Sequence, residues 1–140
     1  VLLLKALLKS QWPGILWSII ILVLTGLPGN YFPQVTTFWD WLAPDKGVHL
    51  FIFGVLTFLL LLGHRKQYPL NKFRYRPVVF AITVSMLYGG LTEFLQSNVF
   101  INRDGNVYDF LANTVGCLLG ALVFYLAFRK KNQNVGKIFE

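Results

Sequence analysis

Four stretches of this 140-residue chain are each long and apolar enough to cross a bilayer, and that confines the fold. A hydrocarbon core of about 30 Å takes about 20 mostly apolar residues per helix. The stretches are 12–27 (WPGILWSIIILVLTGL), 46–63 (KGVHLFIFGVLTFLLLLG), 77–96 (PVVFAITVSMLYGGLTEFLQ) and 107–128 (VYDFLANTVGCLLGALVFYLAF). None alternates at period two over a long run, which argues against a lipid-facing barrel. The expected fold is all-α: a polytopic membrane protein, a four-transmembrane-helix bundle with an N-terminal interfacial helix. Only 14% of residues are charged and 55% are hydrophobic, so a disordered chain is excluded. One domain is expected, with no internal repeat.

The ends of the stretches carry their own signals. Pro13 suits a first helical turn, and Pro28-Gly29-Asn30 stops the first span. Residues 1–11 (VLLLKALLKSQ) set Lys5 and Lys9 one turn apart among leucines, as in an interfacial helix. No small-x-small cleavage site follows, so this segment is kept as mature protein. Tyr31, Phe32, Phe38, Trp39 and Trp41 read as an interfacial belt, and Trp12 and Trp17 as further anchors. Residues 129–140 read as a basic tail. The single cysteine, Cys117, lies in an apolar run and is expected as a buried, inert thiol. His64, beside a basic loop, is expected to be hydrated.

Charge then fixes an orientation. The side holding both termini and the connection after the second span carries Lys5, Lys9, Arg65, Lys66, Lys72, Arg74, Arg76, Arg129, Lys130, Lys131 and Lys137 with the single acid Glu140, a sum of +10. The opposite side carries Lys46 and Arg103 with Asp40, Asp45, Glu93, Asp104 and Asp109, a sum of −3. Basic loops stay inside, so both termini are expected in the cytoplasm. The net charge of +7 needs no nucleic acid; anionic lipid at the inner surface accounts for it.

The remaining polar residues all fall at the outer ends of their helices. Asp45 and His49 are four apart and share a face, as do Glu93 and Gln96, three apart, with Gly89 one turn deeper. On the last span Asp109, Asn113, Gly116 and Gly120 lie within an arc of about 60°. Ala112, Gly116 and Gly120 form a small-xxx-small series that permits close helix contact. The packing face is therefore the face carrying the acid and the amide. Charged groups facing lipid near mid-helix cost about 2.5–3.5 kcal/mol, so three helices are expected to meet around a polar pocket that opens outward.

These residues carry a resemblance. Asp45-Lys46-x-x-His49 opening a span, Glu93-x-x-Gln96 closing the next, and Arg103, Asp109, Asn113, Gly116 and Gly120 after it resemble the signature of VanZ-like membrane proteins, over about residues 45–120. Leu50 stands where an aromatic is expected, and Asp104 where a small residue is more usual. The resemblance implies a bacterial plasma-membrane protein of a family whose founding member is linked to teicoplanin (glycopeptide) resistance. It implies no settled biochemical activity.

Read as chemistry, Lys46 and Arg103 hold a phosphate, with Gln96 and Asn113 as further substrate contacts. His49, Glu93 and Asp109 supply acid and base, and Asp45 orients His49. On this reading the expected substrate is a lipid-linked envelope intermediate or a phospholipid, and the expected reaction hydrolysis or group transfer. The same headgroup could be bound without chemistry. In the plainer alternative the cluster is a hydrogen-bonded network holding a non-enzymatic membrane factor together. A divalent cation on Asp45, His49, Glu93 and Asp109 is disfavoured, because Lys46 and Arg103 already neutralise the carboxylates. Proton-coupled transport lacks stepping stones through the other half, where Thr83 and Ser85 are too few. No Gly-rich phosphate loop, G-x-S-x-G or H-E-x-x-H is present, and no cofactor or metal is expected.

Overall fold

The computed structural model describes residues 2–27, 44–67, 75–100 and 105–136. They form four helices: α1 (Leu2–Gly26), α2 (Pro44–Gln67), α3 (Tyr75–Asn98) and α4 (Val107–Gly136). All four are long and apolar enough to span a membrane, and no strand occurs among the described residues. The aromatic belt at 31–41 lies outside the described residues.

Each helix overruns the apolar run that announces it. α1 runs unbroken from Leu2, so residues 2–11 and the first apolar stretch share one continuous helix, with Pro13 inside it. Proline removes the amide that would bond the Lys9 carbonyl, yet the leucines on its N-terminal side keep the helix continuous. α2 opens on Pro44, a residue suited to a first position. α4 runs through RKKNQN to Gly136, because no glycine or proline interrupts it after Gly120 and Lys, Arg and Gln are good helix formers. The segment expected as a tail therefore continues α4 to Gly136.

α2 and α3 each pack against the other three helices, α2 most extensively against α4, whereas among the described residues the α1 and α4 backbones do not approach each other closely. Without water to drive association inside a bilayer, close packing and interhelical hydrogen bonds hold helices together. Both are present. At the α2–α4 crossing a Cβ on Gly116 would overlap the Leu50 carbonyl, and one on Gly120 the Gly54 carbonyl. A Cβ on Gly54 would lie 3.1 Å from the Gly116 carbonyl. Backbone thus meets backbone, and the small-xxx-small series is used within the bundle.

Hydrogen bonds tie α1 to its neighbours. Trp17 Nε1 donates to the Ile52 carbonyl at 2.8 Å. Tyr88 Oη donates to the Ser18 carbonyl at 2.6 Å. Trp17 is therefore a packing residue against the Ile21, Phe53, Leu56 and Cys117 core, not an interface anchor; its indole hydrogen finds a backbone acceptor in the helix contact. Cys117 is fully buried, as its apolar run suggests. Nearer the other end Leu61, Ala81, Ala121 and Phe124 form a second core, and Arg65 stacks over the Phe128 ring at 3.9 Å. His64, on the last turn of α2, is partly buried.

The antiparallel packing sorts the charges. Lys5, Lys9, Arg65, Lys66 and Arg76 lie at one end of the bundle. The start of α2, the end of α3 and the start of α4 lie together at the other.

Candidate functional site

The unusual residues gather at that second end, one from each of three helices. His49 lies just over one turn into α2, Glu93 just over one turn from the end of α3, and Asn113 nearly two turns into α4. All three are buried, Asn113 completely. Gly89 makes room for this: a Cβ there would come within 3.2 Å of the Asn113 Cβ.

A chain of hydrogen bonds joins them. The Asn106 backbone N–H donates to Glu93 Oε2 at 3.1 Å. Asn113 Nδ2 donates to Glu93 Oε1 at 3.3 Å. His49 Nδ1 lies 3.0 Å from Asn113 Oδ1 and 3.6 Å from Glu93 Oε1. Donor and acceptor chemistry fixes the rest. A carboxylate only accepts, so Asn113 turns its NH2 toward Glu93 and its carbonyl toward His49. An amide carbonyl only accepts, so His49 Nδ1 carries a hydrogen and donates to Asn113 Oδ1. In that singly protonated tautomer the ring's lone pair is at Nε2.

Glu93 also serves the fold. The Asn106 N–H that it accepts lies at the beginning of α4, where amides have no intrahelical partner and the helix dipole favours negative charge. Asn106 is itself the cap: its Oδ1 accepts the Tyr108 N–H at 2.9 Å. Asn106 was missed as a site residue by sequence reasoning, although an asparagine directly before an apolar helix is a start signal.

Beside this chain Lys46 Nζ lies 3.8 Å from Asp109 Oδ1. Asp109 is buried, whereas the Lys46 side chain keeps 29% of its surface exposed. Lys46 is thus a cation at the rim of a buried polar cluster.

The structure brings together His49, Glu93 and Asn113, with Lys46 and Asp109 alongside. It does not bring Gln96 to them. Gln96 Nε2 donates to the Thr25 carbonyl at 3.1 Å and ties α3 to α1. Asp45 belongs to the first turn of α2, but its side chain is outside the described part of the molecule, and Arg103 lies outside the described residues. Among the described residues no three of His, Cys, Asp and Glu converge as a metal-ligand set.

The family model VanZ/LLP1 matches residues 5–128, a range that takes in α2 and α3 whole and most of α1 and α4. No curated protein and no solved structure matches the chain. A four-helix membrane protein with this polar cluster, matched over nearly its whole length, belongs to the VanZ/LLP1 family.

Proposed function

We propose that this protein binds an anionic headgroup of an outer-leaflet cell-envelope lipid, or of a lipid-linked precursor, at the rim formed by Lys46. The family name supports a connection with glycopeptide resistance, in which envelope precursors are the drug's target. The observation that carries the reading is the oriented histidine: His49 is held through Asn113 by Glu93, beneath a part-exposed lysine. Intramembrane ionisable residues are costly enough that such an arrangement points to use. Lys46, with Arg103 as a second cation, meets the phosphate. His49 Nε2 takes or gives the proton in hydrolysis or group transfer, with Glu93 and Asn113 as positioning residues and Asp109 setting Lys46. The membrane is the plasma membrane, and the basic end of the bundle faces the cytoplasm.

A second reading has its own observation. Glu93 caps α4 and is satisfied by Asn106 and Asn113, as a purely structural network would be. Native mass spectrometry of the detergent-purified protein separates the two. The lipid reading expects a retained phosphate-bearing lipid that is lost on Lys46→Ala and on Arg103→Ala. Folded protein with no retained lipid in any preparation favours the structural network.

A further inference from the structure

A groove of about 340 Å³ runs along the lipid-facing side of the α2–α4 crossing. Gly54 and Gly120 form part of its floor, and Leu50, Phe58, Leu119 and Val123 are among the apolar side chains that wall it. It begins at Leu50, one turn below Lys46 on the same side of α2. Directly above Gly54 by two turns stands Gly47, where a Cβ would meet nothing within 4 Å. Among the described residues, then, the groove has an open mouth beside the rim lysine and a purely apolar interior below it.

We propose that this groove holds one acyl chain of the lipid whose anionic headgroup meets Lys46. The inference rests on the lipid reading above and adds where the chain goes. Three features select this occupant. The charge is at the mouth and the apolar wall is below, the polarity of a lipid entering from the interface. The groove's volume is at the low end of the about 300–1,000 Å³ of small-ligand sites, whereas a helix is about 10–12 Å across with its side chains and would not enter. The glycines that would let a helix of a second copy approach closely are already pressed against the neighbouring backbone within one bundle.

The test is reconstitution into vesicles of phosphatidylethanolamine and phosphatidylglycerol carrying chain-labelled phosphatidylglycerol, read by electron paramagnetic resonance. The wild type should show a motionally restricted lipid component, and chain-labelled phosphatidylethanolamine should show little. Gly47→Trp blocks the mouth from open space, and Val123→Trp, at a residue 55% exposed, fills the interior. Each should bring the restricted phosphatidylglycerol component down to the level seen with phosphatidylethanolamine, with unchanged helical content and melting. Restriction lost in Lys46→Ala but intact in both tryptophan variants would overturn the groove and leave headgroup binding standing. Equal restriction of both lipids would assign the groove to ordinary boundary lipid and overturn the proposal. A wild-type dimer abolished by Val123→Trp would assign the groove to a second copy. No restricted component in the wild type would sink the lipid reading and this inference together.

Discussion

Glu93→Gln should invert the tautomer of His49 without unfolding the protein. In the wild type Glu93 accepts two hydrogen bonds, from the Asn106 N–H and from Asn113 Nδ2. Glutamine offers one carbonyl and one NH2. If its carbonyl keeps the Asn106 N–H, its NH2 faces Asn113, which must turn over to accept. Asn113 then presents Nδ2 to His49 Nδ1, 3.0 Å from the present Oδ1 position, and His49 can only accept there by moving its hydrogen to Nε2. All three hydrogen bonds survive, and only their charge assistance is lost. Bonds to charged groups contribute about 1.5–3 kcal/mol and neutral ones about 0.5–1.5, so the two bonds to Glu93 together lose about 2–3 kcal/mol. That lies below the usual 5–15 kcal/mol of folding stability. Nitrogen-15 shifts of histidine-labelled protein, in a His64→Gln background, read the tautomer directly. The wild type should show hydrogen at Nδ1, Glu93→Gln at Nε2, and any activity that uses the Nε2 lone pair should vanish while the helices persist. Retention of the Nδ1 hydrogen in folded Glu93→Gln would refute the relay.

Further outcomes follow from the packing and the charge pattern. Gly120→Ala forces a Cβ into the Gly54 carbonyl, and overpacking of this kind costs about 1–3 kcal/mol. Gly47→Ala meets open space and should gain up to about 1 kcal/mol of helix propensity; equal thermal shifts for the two in detergent would contradict the α2–α4 contact. Trp17→Phe removes the bond to the Ile52 carbonyl and should lower stability by about 0.5–1.5 kcal/mol beyond the change in apolar area, measured by denaturation in mixed micelles. Asn106→Ala deletes the α4 cap at a cost of about 1 kcal/mol, visible as lost amide protection in the first turn of α4. A cysteine at Asn98 should react with an impermeant maleimide on intact cells and one at Gln67 should not; the reverse labelling would invert the orientation.

Much of this architecture was legible because membrane insertion leaves few options. Backbone groups must be satisfied inside each span, so length and apolarity alone determine four helices. The polar cluster was legible for a related reason: His49, Glu93 and Asn113 are too costly in lipid to face anywhere but one another. The Gly116 and Gly120 contact was readable as a spacing, but its partner, the Leu50–Gly54 backbone, was not. Spacing along one helix does not say which turn of a neighbour it meets. Gln96 misled for that reason. Sharing a face with Glu93 places two side chains on one side of α3, and the three-residue offset still lets one reach α4 and the other α1. Trp17 misled because an indole hydrogen can be satisfied by a helix carbonyl as well as by interfacial water. The helix ends were the least legible. Pro13 and the charged run after Phe128 look like boundaries, and continuous helix carries through both.

The central claim is that side chains from α2, α3 and α4 close on one another at a single point within the bundle. A solid-state NMR distance in bilayers tests it most directly, between nitrogen-15 in His49 and carbon-13 in the Asn113 side-chain carbonyl. The account predicts strong dephasing, as expected for a nitrogen and oxygen 3.0 Å apart, abolished by Asn113→Ala. Absence of dephasing in the folded wild type would contradict it.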